Sequence, residues 1–356
     1  MKSRILLLLS STLLLFAGCG NRPAGSSDGN TTQISYSVSK IWDSGKHCAF
    51  TSMVKYRGRY YVAFREAESH IFDADGEARG NVCIIVSENG RDWSLAARMA
   101  REGYDLRDPK LSVSPDGKLL VSIGGSIYRS KQLVGRNPLY SVSEDGVNFS
   151  ELATASIECS CLSGNDWLWR VSWIGGKAYG IIYCADNVSP RHGGTTKIAL
   201  VSSDDGIHFT EVKVFDLDGY PNETTLRELP DGRMAMLVRR ESGDKQGVWG
   251  VSEPPFTEWT LNEIGCQLGG PDFVVTGENE VIAGTRSYLI PGKYKTILLK
   301  GSFDGSFEEV CVLPSGGDTS YPGMLVEGDE LWVSYYSAHE TAKPAIYLAR
   351  IPLTSL

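Results

Sequence analysis

From residue 34 to the C-terminus, the chain consists of short segments in which apolar and polar positions alternate. These segments are rich in Val, Ile, Tyr and Trp, and turns containing Gly, Asp and Pro separate them. A period of two residues buries one side chain and exposes the next, as in a β-strand, and no long stretch shows the helical period. The pattern therefore predicts an all-β fold.

A turn motif recurs along this part of the chain. It consists of Ser, then Asp or Asn, then Gly, with an aromatic residue at its end. Copies begin at Ser87, Ser143, Ser203 and Ser302, with a degenerate copy at Ser252, at intervals of about 50 to 60 residues. The acidic or amide side chain binds neighbouring amides, Gly adopts a positive φ, and the aromatic ring fills the space between strands. We therefore expect a structural repeat and assign the motif no chemistry.

A matching pair of strands precedes each copy, for example 52–56 with 60–64, 111–114 with 119–123 and 224–228 with 234–238. The last unit begins with the strands 324–326 and 331–335. Five such four-stranded units are followed by a last unit with three strands, whereas the strand-like segment 34–42 has no partner of its own. Pairing this segment with the last unit closes a ring and removes its edges. The sequence thus predicts a six-bladed β-propeller over residues 34–356, with the last blade closed by the N-terminal strand. A five-bladed, furanosidase-type propeller is the main alternative, and the repeat count disfavours it.

The first residues have the layout of a secretory signal, in which Lys2 and Arg4 precede an apolar run over 5–16 and small residues lead to Cys19. Residues 15–19 resemble the lipobox of bacterial lipoproteins, in which the cysteine is acylated. This resemblance implies a lipoprotein signal peptide over 1–19, a flexible tether over 20–33, and an exported protein anchored to a membrane, facing the periplasm or the cell surface. An ordinary signal peptide with an incidental cysteine is the alternative.

Composition excludes several classes of partner. The net charge of the 356 residues is −8 and no basic block occurs, which argues against nucleic acid and against membrane contact other than through the lipid. The cysteines besides Cys19 lack the spacing of a zinc site, and no phosphate loop, HExxH or GxSxG motif is present. We therefore expect neither metal nor cofactor.

Strand direction predicts where a functional site lies. The start of each innermost strand, the end of the second strand and the loop after it share one rim of a propeller, opposite the recurring turns. Charged and aromatic residues concentrate at these positions: Arg65, Arg239, Arg240 and Arg286 end second strands, Glu223 and Tyr321 begin innermost strands, and Asp73 and Asp75 lie in the loop after Arg65.

This arrangement resembles that of the sialidases, which carry an arginine triad, a Tyr/Glu couple and a loop aspartate in this order. Phe64-Arg65 resembles the start of their Phe-Arg-Ile-Pro motif, although Glu66-Ala67 follows here, and the turn motif resembles their Asp-box. Residues 313–323, around Tyr321, also resemble a sialidase-like subgroup of bacterial lipoproteins.

The resemblance implies Tyr321 as nucleophile, Glu223 as its base, Asp75 as acid/base, and Arg65, Arg239 and Arg286 as the carboxylate clamp. A guanidinium fork matches a carboxylate, and a neutral phenol avoids repulsion by the acidic substrate. Asp73 or Glu77 remains an alternative acid. Further substrate contacts are expected from residues that could equally pair locally or cap strands: Arg240, His70, Arg107, Asp108 and Asp272.

The leading functional hypothesis is an exo-acting retaining glycosidase for a terminal acidic sugar, with sialic acid as the first guess and a glycan as partner. A Kdo-type or uronic acid residue is the alternative substrate. A surface propeller that binds a glycan without cleaving it is the rival from a different class. A lyase that uses Tyr321 with His70 or His339 is a further alternative.

Overall fold

A computed structural model describes residues 34–186 and 188–356. Their regular structure is β-strand, apart from two short 3-10 helices, Pro190–His192 and Leu353–Ser355. This confirms the all-β prediction. The predicted signal peptide, Cys19 and the tether lie outside the described residues. Within the described segments, no helix has the length and hydropathy that a bilayer crossing requires.

The strands form six sheets, which are the six blades of the predicted propeller. Strand β1 spans Ser37–Trp42. Blade one contains β2 (His47–Tyr56), β3 (Arg59–Ala67), β4 (Asn81–Ser87) and β5 (Ser94–Met99). Blade two contains β6 (Asp105–Val113), β7 (Leu119–Arg129), β8 (Gln132–Ser143) and β9 (Ala153–Thr154). Blade three contains β10 (Ser156–Glu158), β11 (Asp166–Ile174), β12 (Lys177–Ala185), β13 (Thr196–Ser203) and β14 (His208–Phe215).

Blade four contains β15 (Pro221–Glu228), β16 (Met234–Arg240), β17 (Gln246–Ser252) and β18 (Thr260–Gln267). Blade five contains β19 (Asp272–Gly277), β20 (Glu280–Ser287), β21 (Lys295–Gly301) and β22 (Phe307–Leu313). Blade six contains β23 (Ser320–Glu327), β24 (Glu330–Ser337) and β25 (Ala345–Pro352), and β1 is its fourth strand. Strand β10 is an addition that the sequence did not predict, and it pairs in parallel with β14.

The ring is closed by β1, which pairs antiparallel with β25 so that Ser37 lies opposite Arg350. The side chain of Ile41 on β1 is buried in the core. The predicted closure is therefore confirmed, although the strand begins at Ser37 rather than at residue 34. Because β1 comes first in the chain and β25 comes last, this pairing joins the two ends of the propeller and leaves no open edge between them.

The first three copies of the recurring turn share one set of hydrogen bonds. In the second copy, the Gly146 N–H donates to the Ser143 hydroxyl at 2.9 Å, and Asp145 Oδ1 accepts from the Val147 N–H at 2.8 Å. In the third copy, the Gly206 N–H donates to the Ser203 hydroxyl in the same way. These turns follow the third strand of their blades, on the rim opposite the site described below.

The innermost strands of five blades depart from regular pairing near their N-terminal ends. The register shifts between Ala49 and Ser52 in blade one, between Arg107 and Lys110 in blade two, and equivalently in blades three, four and six. At these bulges Phe50, Asp108 and Tyr321 adopt positive φ angles of 65°, 46° and 49°. A bulge turns side chains away from the regular alternation of a strand, so these residues point where a regular strand would not place them.

Asp272 acts as a buried junction at the centre of the propeller rather than as the sugar contact that the sequence suggested. Its carboxylate lies 3.1 Å from the Arg170 guanidinium of blade three and 2.6 Å from that of Arg227 in blade four. It also accepts a hydrogen bond from the Met324 N–H of blade six. Asp272 is only 1 % exposed, so its charge is used within the fold.

The closing strand allows a direct test of the ring. We expect Ile41→Ala to lower the free energy of unfolding by about 2–4 kcal/mol, because the truncation leaves a cavity in the core beneath β1. Ser39→Ala, on an exposed position of the same strand, should change the free energy by less than about 0.5 kcal/mol. Urea denaturation of both variants measures the difference. Equal, small effects would contradict a stably paired β1.

Candidate active site

A cavity of 540 Å³ opens at the rim where the innermost strands begin. Its walls come mainly from the first two strands of the blades, as strand direction predicted. The charged and aromatic residues that line it are Arg107, Asp108, Arg136, Glu223, Arg239, Glu241, Arg286, Phe50, His70, Tyr128, Trp167, Tyr183, Tyr220 and Tyr321.

Tyr321 and Glu223 meet at the base of this cavity. The Tyr321 hydroxyl donates a hydrogen bond to Glu223 Oε1 at 2.8 Å, although the two residues belong to blades six and four. The same carboxylate accepts a hydrogen bond from the Gly270 N–H at 2.8 Å and pairs with the Arg239 guanidinium at 2.7 Å. Only glycine fits at position 270, because a Cβ there would lie 2.2 Å from the Tyr321 ring. The phenol and the carboxylate are thus held in direct contact.

Burial governs the electrostatics of this pair. It raises the pKa of Tyr321, and the negative charge of Glu223 raises it further, whereas Arg239 and Arg286 lower it. Burial also raises the pKa of Glu223, and the nearby Arg239 opposes this effect. Since a carboxylate beside a buried phenol is a ready acceptor for the phenolic proton, the arrangement can activate Tyr321 as a nucleophile.

Arg286 lies beside the Tyr321 ring, with its guanidinium carbon 5.1 Å from the ring centroid. Its Nε donates to the Thr319 carbonyl at 2.9 Å, and one terminal nitrogen lies 3.1 Å from Asp318 Oδ1 and 2.5 Å from the Tyr336 hydroxyl. Asp318 therefore neutralises Arg286 and fixes the direction of its side chain. Arg239 is restrained in a similar way, since Glu241 and Glu223 both pair with it.

One group of metal-ligand side chains occurs in the described part of the chain, namely His47, His70 and Asp318, with ligand atoms within 4.8 Å of one another. Both imidazoles contact Asp318 Oδ2, at 2.9 Å and 2.6 Å, while Oδ1 contacts Arg286 and Tyr336. Because these four partners already satisfy the carboxylate, we interpret the group as a network that positions Arg286.

Three further residues named from the sequence line the cavity: His70, Arg107 and Asp108. The Arg107 guanidinium pairs with Asp105 at 3.0 Å and lies over the Phe50 ring. Asp108 is 5 % exposed, and no hydrogen bond or ion pair to its carboxylate occurs among the described residues. Burial raises the pKa of Asp108.

Two predicted arginines do not reach the cavity. Arg65 is fully buried and pairs with Asp105 of blade two, whose carboxylate lies 2.7 Å from its guanidinium. Gly80 permits this close packing, because a Cβ there would lie 2.1 Å from Asp105 Oδ1. Arg240 pairs instead with Asp244 and Glu263, at 2.6 and 2.7 Å. Since successive side chains of a strand point to opposite faces, only Arg239 of the Arg239–Arg240 pair can face the site.

Asp75, the predicted acid/base, does not line the cavity either. Its side chain is 56 % exposed and pairs with Arg79 at 2.8 Å, and it is not among the residues that line the cavity. Asp73 pairs with the same arginine at 3.1 Å. The loop after Arg65 thus directs its two aspartates to a surface arginine.

The sequence analysis missed several cavity residues. Arg136, on strand β8, lies over the Trp167 ring with its guanidinium carbon 5.6 Å from the ring centroid. Trp167 stacks on Tyr183, with the ring centroids 5.8 Å apart and the planes at 14°. Glu241 follows Arg239 and Arg240 directly. No repeat or turn signal marks Arg136, because it comes from the third strand of its blade, whereas the prediction used only the first two.

Solved structures share this architecture. A protein of unknown function from Dyadobacter fermentans is 17% identical, with a TM-score of 0.73 over 88% of this chain and 99% of its own. The Trypanosoma rangeli sialidase in complex with sialic acid is 13% identical, with a TM-score of 0.65 over 89% of this chain and 58% of its own. An alpha-L-arabinofuranosidase from Fusarium graminearum, in complex with an iminosugar inhibitor, is 15% identical, with a TM-score of 0.65 over 89% of this chain and 98% of its own.

This chain therefore spans little more than half of the trypanosomal enzyme and nearly all of the other two proteins. No family model and no curated protein matches the sequence. At these identities the likeness concerns the fold, and the predicted sialidase-type six-bladed propeller is confirmed at that level.

Asp318 gives a test of the network around Arg286. Burial opposes ionisation of this carboxyl, but His47, His70 and Arg286 outweigh it and hold its pKa well below the ordinary value. A depressed folded-state pKa stabilises the protein above the unfolded pKa of about 4, and this stabilisation is lost as the pH falls. We expect Asp318→Asn to lower the free energy of unfolding by about 1–3 kcal/mol at neutral pH, with the difference from wild type shrinking between about pH 5 and about pH 2.

Urea denaturation across this pH range measures the difference. The matched control is Asp329→Asn, since Asp329 is exposed and its carboxylate has no hydrogen-bond partner among the described residues. A difference for Asp318→Asn that is independent of pH would contradict the ion-pair interpretation.

Proposed function

We propose that this propeller is an exo-acting, retaining glycoside hydrolase that releases a terminal acidic sugar, with sialic acid as the first candidate. The observation that carries the proposal is the 2.8 Å hydrogen bond from the Tyr321 hydroxyl to Glu223, beneath a cavity with several arginines. The fold that the chain shares with a sialidase and an arabinofuranosidase supports a glycosidase in general. The identity of the sugar and the roles of the individual residues are part of what we propose.

In this reaction the Tyr321 oxygen attacks the anomeric carbon while its proton passes to Glu223 Oε1. A neutral phenol is suited to a substrate that carries a carboxylate beside the reacting carbon, because an anionic nucleophile would be repelled. The bond to the leaving group breaks as a second acid protonates the leaving oxygen. Water then releases the sugar from Tyr321, and two displacements give retention of configuration.

The charges of the cavity support an acidic substrate in one specific place. Arg107, Arg239 and Arg286 all have carboxylate partners, whereas Arg136 has none among the described residues. Its buried Nε also lacks a hydrogen-bond partner. A substrate carboxylate would pair with this guanidinium and would gain charge-assisted hydrogen bonds there. The proposed anion site therefore differs from the triad that the sequence suggested.

The aromatic wall supports a sugar ligand. Trp167 and Tyr183 present stacked rings beside Arg136, and apolar faces of a pyranose pack on such surfaces. A volume of 540 Å³ suits a terminal residue with part of its neighbour rather than a long polymer. This is why we propose exo-acting cleavage.

A second candidate is a hydrolase for a neutral sugar. The pairing of three of the four cavity arginines with carboxylates favours it, because paired guanidinium groups attract an anion less strongly. The likeness to the arabinofuranosidase, which extends over 98% of that chain, is consistent with this candidate.

Two further functions are compatible with the same cavity. A hydrolase for a Kdo-type or uronic acid residue would use the same catalytic pair, and a glycan-binding propeller would use the cavity without turnover. Neither of these proteins would cleave an aryl sialoside, so a turnover assay distinguishes them from the leading proposal.

The N-terminal sequence supports a proposal about location. We propose that the protein is an exported lipoprotein that meets its glycan while anchored through Cys19.

Turnover of aryl glycosides tests the proposed function. The panel contains aryl α-ketosides of sialic acid and of a Kdo-type acid, an aryl uronide and an aryl arabinofuranoside. We expect the sialoside to be cleaved, and Tyr321→Phe to reduce kcat/KM by more than about a thousandfold because the nucleophile is lost. Tyr335→Phe is the matched control, since Tyr335 is equally buried on the same blade and donates its hydroxyl to the Pro314 carbonyl.

Each result of this panel favours one candidate function. Cleavage of the arabinofuranoside alone would favour the neutral-sugar hydrolase and contradict the acidic substrate. Tight binding of free sialic acid without turnover of any glycoside would support the binding propeller. Full activity in Tyr321→Phe would contradict the assigned nucleophile.

The role of Arg136 is tested with one sugar in two charge states. We expect Arg136→Gln to weaken binding of the free sugar acid by about 10- to 100-fold, because a charge-assisted pair is lost. Binding of its methyl ester, which carries no charge, should change by less than about threefold. Isothermal titration calorimetry measures both. Equal weakening of acid and ester would show that Arg136 does not recognise the carboxylate.

A further inference from the structure

We infer that Asp108 is the acid that protonates the leaving group, in place of an aspartate from the loop of blade one. This inference rests on the proposed function, because it assigns the remaining chemical role of the same cavity. It concerns a residue near the start of the innermost strand of blade two that lines the cavity.

Asp108 differs from two other buried aspartates in its lack of an arginine partner among the described residues. Asp105 pairs with Arg65 and Arg107, and Asp272 pairs with Arg170 and Arg227. These carboxylates are used to hold the blades together.

Asp108 is buried to the same degree, at 5 % exposure, yet no partner for its carboxylate occurs among the described residues. A buried carboxyl without hydrogen bonds is costly to the fold when it is ionised. No hydrogen bond or ion pair among the described residues explains its burial, whereas a catalytic acid needs such an environment.

The electrostatics around Asp108 favour its neutral form. Burial raises its pKa, and this effect exceeds the opposing influence of four cationic or titratable groups that face it, which are Lys110, Arg107, His70 and Arg65. Lys110 contributes less than a full charge at higher pH, because burial lowers its own pKa to about 8.

Glu223 differs in a decisive respect, since its carboxylate accepts two hydrogen bonds and pairs with Arg239. These contacts stabilise the ionised form of Glu223, whereas the carboxylate of Asp108 has no such contacts among the described residues. An acid and a base in one site require two carboxyls whose environments favour different protonation states.

Backbone geometry directs Asp108 to the site. It lies within the bulge between Arg107 and Lys110 and has a positive φ of 46°. Non-glycine residues rarely adopt this conformation, and Asp tolerates it better than most. Tyr321 lies in the equivalent bulge of blade six, with a φ of 49°. Equivalent bulges thus place the proposed nucleophile and the proposed acid at the same cavity.

The assignment completes the reaction with every proton accounted for. As Tyr321 attacks, its proton moves to Glu223, the glycosidic C–O bond breaks, and the Asp108 proton moves to the departing oxygen. In the second step water attacks the anomeric carbon and gives a proton to the Asp108 carboxylate. The bond to Tyr321 then breaks, and the phenolate recovers its proton from Glu223.

Asp75 is a poor donor by comparison. The hydrogen bond from Arg79 lowers its pKa, and the backbone N–H of Glu77 lowers it further. An exposed carboxylate paired with an arginine is ionised at neutral pH and has no proton to give.

Leaving-group dependence tests the inference. With Asp108→Ala, we expect kcat/KM for a sialyl disaccharide to fall by about 100- to 10,000-fold, because its alkoxide-like leaving oxygen needs a proton. For an aryl sialoside with an acidic phenol, kcat/KM should stay within about tenfold of wild type while kcat and KM both fall, since the second step lacks its base. Added azide needs no base, so it should raise kcat and yield a glycosyl azide of retained configuration.

Asp75→Asn is the comparison variant, and it should behave as wild type on both substrates. If Asp75→Asn shows azide rescue and Asp108→Ala does not, the inference is overturned while the proposed function stands. If Asp108→Ala loses both substrates equally and azide restores nothing, Asp108 is not the acid. A wild-type protein that cleaves neither substrate would overturn the proposed function and this inference together.

Thermal unfolding separates catalysis from folding in these variants. Removing this buried carboxyl should leave Tm unchanged or raise it, since it has no hydrogen-bond or ion-pair partner among the described residues. Asp108→Asn, which keeps the shape of the side chain, should show the same azide rescue as Asp108→Ala. A lower Tm in both variants, with activity lost in proportion, would indicate a structural role instead.

Discussion

The bulge near the start of the innermost strands is the local feature on which the site depends. It shifts the register in five of the six blades and gives Phe50, Asp108 and Tyr321 their positive φ angles. Regular strands would send alternate side chains into the two packing interfaces between blades. The bulge redirects residues toward the propeller axis, where six strand ends converge. Tyr321 of blade six can therefore contact Glu223 of blade four.

Buried charge is the second constraint on the centre of this molecule. Arginines and aspartates from different blades lie close together with little access to water, so each charge requires a partner. Asp272 neutralises Arg170 and Arg227, and Asp318 neutralises Arg286. These pairs connect different blades, and the pair with Asp318 also fixes the direction of the Arg286 side chain in the cavity. Asp108 and Arg136 have no ion-pair partner among the described residues, and we interpret their lack of pairing as functional.

The predicted strands and the observed strands differ most where the site lies. The prediction began the innermost strands at residues 52, 111 and 324, whereas they begin at His47, Asp105 and Ser320. The omitted segments contain the bulges, so their side chains do not alternate regularly and no strand pattern reveals them. The same segments carry Asp108 and Tyr321. The alternation of hydrophobic residues thus locates the regular strands of the blades but not the bulged segments that carry these cavity residues.

The sequence by itself determined the all-β class, the number of blades, the closing strand and the rim of the site, because these follow from alternation, repetition and strand direction. It also brought Tyr321, Glu223 and Arg239 together through their positions and a family resemblance. Only the tertiary structure decided which charged side chains lack an ion-pair partner. Arg65 pairs with Asp105 of blade two and Asp75 pairs with Arg79, whereas neither Asp108 nor Arg136 has an ion-pair partner among the described residues. Such pairing depends on distances in three dimensions that no linear pattern records.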